Sequence, residues 1–329
     1  MLLTVDIDDR VRNTASVLLL TKFVDENTGS REHPVRIAVR KHLEGQRDHP
    51  FAALCRRLAE DHWMSAFYCY AVLIDWQATD EMEPQDPCAQ SWQRDFDRSG
   101  YGAGLRRFAV ESHLPALWER TAEAWAEVVA DCEGLLAEAE IESFLTRLYG
   151  ETDLRLVLLP NPLDPPTFGF GPRVGESAYS IVGPPQVRDG AVTYRSYGPQ
   201  LANLAFHEFS HSLWSDCMKS LPSLADDTAF LADGMELKSW FPRMYPTWPE
   251  QLDELVIRAS TALYVRERRG DAEARSLLEK EKTEFGLTRI DRVYRCLKEY
   301  LGARERGEYE GLRDYLPMLT KDLARWTSA

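Results

Sequence analysis

Two histidines and a glutamate near the middle of the chain have the types and spacing of a metal site. They lie in the run His207-Glu208-Phe209-Ser210-His211. Residues four apart on a helix share one face, about one turn from each other, so both imidazoles can reach one tetrahedral ion at about 2.0–2.1 Å. Glu208 follows the first histidine and can take a proton from a water that the ion activates. The run therefore predicts one zinc ion with a general base beside it.

The helix that must carry this run is predicted over residues 199–219. Its apolar side chains recur every three or four residues, which is the period of a buried helical face. They are Ala202, Phe206, Phe209, Leu213 and Cys217. Because His207 and His211 lie off this stripe, we expect them to face a cleft rather than the core.

The segment from Asn203 to Trp214, which contains both histidines, resembles the active-site helix of the zincin metallopeptidases. The whole chain resembles a bacterial family of zincin-like domains with an N-terminal helical half. The resemblance implies a zinc-dependent hydrolase of peptide bonds, with Glu208 as the catalytic base. It also implies a small twisted sheet whose edge strand runs along the cleft. Residues 177–182 or 191–194 would be that edge, to which an extended peptide could add.

The third zinc ligand has to be found elsewhere, since catalytic zinc usually has three protein ligands and a water. Trp214 and Cys217 stand where the metzincin branch has glycine and histidine, which excludes that branch. No histidine follows His211, so the ligand is a downstream carboxylate or a histidine from the N-terminal half. The first option resembles the gluzincin branch, in which a glutamate comes from a later helix.

Glu254 is the preferred third ligand. It lies on a helix predicted over residues 249–268, opposite an apolar stripe. Arg258, one turn further on, could hold it through a charge-assisted hydrogen bond. Some gluzincins carry an acidic residue at that position, so the sequence departs from their pattern there. The alternatives are Glu236 and Asp233, followed by Glu250 and Asp227.

Other candidates for a role in the site are tyrosines, because many zincins stabilise the developing oxyanion with Tyr, His or Arg. Tyr194, Tyr197 and Tyr264 are the candidates, although each also fits a packing role. The remaining histidines show no ligand spacing with one another and are predicted to lie on the surface or to cap helices. They are His33, His42, His49, His62 and His113.

Helical patterns surround a short stretch of strand patterns. Residues 114–149 predict two helices broken near residues 132–134, and residues 77–104 predict a long loop. Strands are predicted over 154–159, 177–182 and 191–194, and further helices over 224–240, 271–284, 287–305 and 309–326. The expected fold class is therefore α+β, predominantly helical, with a zincin-like core. It divides into an N-terminal helical region, 1–150, and a zincin-like catalytic region with the C-terminal helices, 151–329, unless the two form one continuous domain.

The charge balance disfavours one class of partner. The 39 Lys and Arg residues against 53 Asp and Glu give a net charge of −14, which would repel a nucleic acid. No apolar run reaches the roughly 18–20 residues of a membrane helix, and the acidic beginning is unlike a secretory signal. We therefore expect a cytoplasmic protein, and the resemblance to zincins implies a peptide or protein substrate. The alternatives are a zincin-fold binding or scaffold protein with little or no hydrolysis, and a hydrolase of a non-peptide amide.

Overall fold

Helices make up most of the protein. A computed structural model describes residues 2–24, 33–76, 91–165, 168–184, 193–194 and 198–325, and the fold is α+β, predominantly helical, with a small mixed sheet. The helices are α1 (Asp9–Leu18), α2 (Pro34–His42), α3 (Pro50–Asp61), α4 (Met64–Leu73), α5 (Ser91–Arg98), α6 (Tyr101–Glu111), α7 (Leu114–Arg120), α8 (Ala122–Leu136), α9 (Ile141–Tyr149), α10 (Gly198–Ser220), α11 (Leu224–Thr228), α12 (Phe241–Met244), α13 (Trp248–Arg269), α14 (Asp271–Lys280), α15 (Ile290–Glu305) and α16 (Leu312–Arg325). A π-helical turn, Glu281–Phe285, continues α14.

The described strands form one sheet in the order β1-β2-β5-β3, and β4 also pairs with β5. They are β1 (Leu2–Val5), β2 (Arg155–Pro160), β3 (Gly169–Phe170), β4 (Arg173–Val174) and β5 (Ser177–Val182). Strands β2 and β5 are parallel, with Leu156 opposite Ala178, whereas β3 and β4 are antiparallel to β5. The strands predicted over 154–159 and 177–182 are thus present.

Strand β5 is not an edge strand, and the expectation that residues 177–182 form the edge of the cleft is wrong. Its backbone groups pair with β2 on one side and with β3 and β4 on the other, so they are not available to an added peptide. The second expected edge, residues 191–194, lies partly outside the described residues.

The chain contains two compact units whose segments alternate along the sequence. One consists of Met1–Leu2, Ala139–Leu154 and Phe206–Ala329, and the other of Leu3–Glu138 and Arg155–Ala205. Strands β2 to β5 belong to the second unit, whereas the predicted site residues from His207 to Glu254 belong to the first. The division into regions 1–150 and 151–329 stays a prediction.

Helices replace part of the expected loop over residues 77–104. Residues 77–90 lie outside the described part, but α5 and α6 occupy most of residues 91–111. Phe96 and Tyr101 are fully buried and pack against each other with ring centroids 5.0 Å apart. Gly100 separates the two helices in a left-handed conformation, with φ of 68°. Burial of the aromatic rings therefore outweighs the loop-forming composition.

The break expected near residues 132–134 is also wrong, because α8 runs through them. No atom lies within 4 Å of the place that a Cβ of residue 134 would occupy, so no close contact requires a glycine or a bend there, and the helix continues. The interruptions lie instead at Thr121 and at residues 137–140, where Glu140 adopts a φ of 51°. Residues 114–149 therefore form α7, α8 and α9 rather than two helices.

Aromatic packing in the first unit joins the two helices that carry the predicted ligands. Phe206 on α10 stacks on Tyr264 of α13 with centroids 4.7 Å apart, and Phe144 of α9 packs edge-on against both rings. The helices predicted over 199–219 and 249–268 are confirmed as α10 and α13, and all five residues of the predicted α10 stripe are buried.

The helix predicted over residues 224–240 is not formed as one element. After α11 and a 3-10 turn, Gly234 takes a φ of 78° and the chain leaves helical geometry. The N–H of Glu236 then donates to the carbonyl of Gly286 at 3.1 Å, and that of Lys238 to Phe285 at 3.2 Å. Contacts with a segment about fifty residues away thus replace the helical hydrogen bonds that local sequence favours.

Gly286→Ala should destabilise the protein more than Gly307→Ala. Both glycines have left-handed backbones, with φ of 80° and 81°, so alanine costs about 1 kcal/mol at either position. A Cβ at residue 286 would also clash with the carbonyl oxygen of Glu236, whereas residue 307 has open space. We expect this clash to lower the free energy of unfolding by about 1–3 kcal/mol more, measured by urea denaturation. Equal losses would contradict the pairing of the two segments.

Candidate metal centre

Three side chains predicted as metal ligands meet at one point. Nε2 of His211 lies 3.5 Å from Oε1 of Glu254, and Nε2 of His207 lies 3.8 Å from Oε2 of the same carboxylate. One ligand atom from each of the three residues lies within 4.8 Å of the others. Atoms bound to one tetrahedral zinc at about 2.0–2.1 Å are about 3.3 Å apart. The three side chains therefore fit a single ion after small movements.

Two helices supply these ligands. His207 and His211 occupy successive turns of α10, with ring centroids 5.0 Å apart, and Glu254 comes from α13. The side chains of His207 and His211 are 14% and 24% exposed, whereas that of Glu254 is 2% exposed. The two histidine side chains are therefore partly exposed, which is compatible with the open coordination position of a catalytic site.

Asp253 is a partner of His211 that the sequence interpretation missed. Its Oδ2 lies 2.7 Å from Nδ1 of the imidazole. In the neutral imidazole, Nδ1–H donates to this carboxylate and Nε2, which points to Glu254, is the unprotonated nitrogen that a metal ion can bind; such pairs are common behind metal-binding histidines. One feature of the sequence could have indicated it: Asp253 directly precedes the predicted ligand Glu254 on the same helix. The two carboxylates approach His211 from different directions, one at Nδ1 and one at Nε2.

Arg258 holds Glu254 on the other side. Its Nε donates to Oε2 of Glu254 at 2.7 Å, as the spacing of four residues predicted. Its Nη1 donates to Oε2 of Glu281 at 2.7 Å, and the guanidinium carbon lies 4.0 Å from the centroid of the Phe285 ring. The sequence interpretation missed Glu281 and Phe285, because nothing local distinguishes them from their neighbours.

Tyr245 is a tyrosine beside the cluster that the sequence interpretation did not consider. Burial, together with the nearby carboxylates of Glu254 and Glu208, raises the pKa of its hydroxyl well above the usual range. The phenol is therefore a proton donor at neutral pH. Tyr194 and Tyr264 donate instead to backbone carbonyls in the core. Tyr197 lies outside the described residues.

The charges of the cluster follow from burial and from close partners. Burial lowers the pKa of His207 to about 3, so this imidazole is neutral at pH 7. Burial also opposes the ionisation of Glu254, but Arg258 and the two histidines outweigh it and lower the pKa of this carboxyl to about 2. For His211, burial again opposes the charged form, but Asp253 and Glu254 raise its pKa to about 10. A metal ion that binds Nε2 of His211 therefore has to displace a proton.

Glu208 is a buried carboxyl group next to the ligands. Glu208 is only 5% exposed. Burial raises its pKa to about 7, and Glu254 acts in the same direction, whereas His211 opposes the rise. A carboxyl group that titrates near neutral pH is suited to take up and return a proton.

The alternative carboxylate ligands are exposed and lie outside the cluster. Among the described residues, His207, His211 and Glu254 form the one group of three or more metal-binding side chains with this proximity. Glu250 accepts the backbone N–H of Thr247 at 2.8 Å and caps α13. The others are Asp227, Asp233 and Glu236. The capping role predicted for N-terminal histidines is confirmed for His33 and His49, at the starts of α2 and α3.

Comparison with known proteins places the chain in a family. It belongs to the family described as Domain of unknown function (DUF4932), whose model matches residues 93–322 and so includes every residue of the cluster. A search of curated proteins and a search of solved structures found no match. Within the described residues, no helix combines the length and the apolar composition needed to cross a membrane.

Proposed function

We propose that the protein is a zinc-dependent metallopeptidase with a zincin-like core. The observation that carries the proposal is the convergence of His207, His211 and Glu254, with Glu208 directly after the first histidine. Two imidazoles and one glutamate carboxylate are a donor set found in catalytic zinc sites. The partial exposure of the two histidines supports access of water to an ion bound there.

The protein side chains divide the work of peptide hydrolysis among them. Bound zinc would activate a water and polarise the scissile carbonyl group. Glu208 accepts the proton of that water and passes it to the leaving amine. Tyr245 is assigned as the donor to the developing oxyanion, because its hydroxyl is protonated and lies near the carboxylates of Glu254 and Glu208. Asp253 keeps the ring of His211 in the orientation and tautomer that binding requires.

The proposed substrate is a peptide or protein, in a cytoplasmic setting. The net charge of −14 supports this choice over a nucleic acid. A binding or scaffold protein with little hydrolysis is the second candidate. One observation favours it, because β5 is paired on both sides and does not offer the free strand edge expected of a peptidase cleft.

The purified protein should contain about one zinc per chain when chelators are omitted. Elemental analysis measures this content, and a library of peptides tests hydrolysis before and after removal of the metal. We expect hydrolysis to disappear with a chelator and to return with added zinc. A protein without zinc would refute the proposal, whereas zinc without hydrolysis would support the binding protein instead.

A further inference from the structure

A connected set of side chains lies behind Glu254. Arg258 donates to Oε2 of Glu254 through Nε and to Oε2 of Glu281 through Nη1, both at 2.7 Å. Its guanidinium carbon lies 4.0 Å from the centroid of the Phe285 ring. Glu254 and Glu281 are 2% and 6% exposed. Two edges and one face of the guanidinium group are therefore occupied, and Arg258 has little freedom to move.

The π-helical turn supplies two of the three contacts that hold Arg258, and the third is with Glu254. Glu281 and Phe285 are its first and last residues. A π turn adds a residue to one turn of the helix and so redirects the side chains that follow, and such turns are frequent at functional sites. Here Glu281 and Phe285, in the turn that follows α14, both contact the guanidinium group of Arg258, which lies on α13.

These contacts limit how Glu254 can offer its oxygens. Arg258 donates to one oxygen of Glu254 and to one oxygen of Glu281, so its rigid planar group fixes the position of Oε2 of Glu254 relative to Glu281, which an ammonium group on a flexible stem does not. Oε2 accepts from Arg258 and lies 3.8 Å from Nε2 of His207, whereas Oε1 faces Nε2 of His211 at 3.5 Å, so Oε1 is the oxygen that the bond to Arg258 leaves to a cation. Glu281 also offsets the charge of Arg258, so that the negative charge of Glu254 is not cancelled at the site.

We infer that Arg258 and Glu281 are positioning residues for the third metal ligand, and that Glu281 acts on Glu254 only through Arg258. The inference rests on the proposed zinc site. It explains why an arginine can stand where some gluzincins have an acidic residue. Asp253 is the carboxylate partner of His211, and Arg258 orients Glu254.

The test measures zinc affinity by chelator competition, together with the absorption spectrum of the Co²⁺ form, which reports on coordination. Arg258→Lys keeps the positive charge but loses the planar fork, and Glu281→Gln keeps the shape but weakens the hold on Arg258. We expect each variant to weaken zinc binding by about 10–100-fold and to shift the cobalt bands. The double variant should bind zinc no more weakly than whichever single variant has the lower zinc affinity, because both changes act through the side chain at position 258.

Matched controls come from the same helices. Arg266 on α13 pairs with Asp271 at 2.8 Å, and Glu284 in the π turn is exposed, so Arg266→Lys and Glu284→Gln should leave zinc binding and the spectrum unchanged. Thermal melting without metal checks folding, and Glu281→Gln decides the question if Arg258→Lys does not fold. Unchanged zinc affinity in the folded variants, or additive losses in the double variant, overturns the inference alone. A wild-type protein that binds no zinc overturns the proposed function as well.

Discussion

Glu208→Gln should lower kcat/KM for amide hydrolysis by at least about 10²–10⁴-fold while zinc content stays near one per chain. The amide has almost the same shape as the carboxylate, but it cannot accept the proton of the attacking water. Glu208 is not among the three side chains that converge as ligands, so its loss should not release the ion. Rates on a defined peptide and elemental analysis of the same preparation measure both effects.

Asp216→Asn is the matched control for this experiment. Asp216 lies on the same helix, and its carboxylate is 3.7 Å from Lys219 rather than at the ligand cluster. The same change from acid to amide should therefore leave the rate within experimental error. If Glu208→Gln hydrolyses peptides as fast as the wild type, Glu208 is not the base, and a contaminating enzyme has to be excluded first.

Loss of a ligand should affect zinc binding more than any change around it. We expect His211→Ala and Glu254→Ala to weaken zinc by more than the about 10–100-fold that loss of a ligand's hydrogen-bond partner costs. Two remaining ligands leave the ion under-coordinated. Chelator competition gives the dissociation constants. Glu236→Ala and Asp233→Ala should bind zinc like the wild type, because both side chains are exposed and lie outside the cluster.

Folding has to be controlled in the Glu254 variants, because truncation leaves the half-buried Arg258 with one carboxylate fewer. Glu254→Gln retains an oxygen that can accept from Arg258 and removes the charge that attracts the ion. It should therefore fold with a melting temperature closer to the wild type and still bind zinc weakly. If Glu236→Ala or Asp233→Ala loses zinc instead, the ligand assignment is wrong, although the two histidines can remain. If none of the three changes matters, the third ligand lies elsewhere.

Periodicity and spacing within single helices are enough to predict the elements that carry the candidate ligands. The spacing of His207 and His211 and the apolar stripe beside them define α10, and a second amphipathic pattern defines α13. The bond from Arg258 to Glu254 was also predictable, since residues four apart on a helix are neighbours. Each of these inferences depends on residues within one or two helical turns, where periodicity and spacing are sufficient.

Contacts between distant segments determine which groups complete the cluster and where some helices stop. Asp253 reaches His211 across 42 positions, and Glu281 reaches Arg258 across 23. The helix expected over 224–240 gives way because Glu236 pairs with Gly286, and β5 is central because it has partners on both sides. These contacts join residues that are distant in sequence, and their hydrogen bonds and burial outweigh local propensities. No local pattern specifies such partners, because they become neighbours only when the helices and strands pack together.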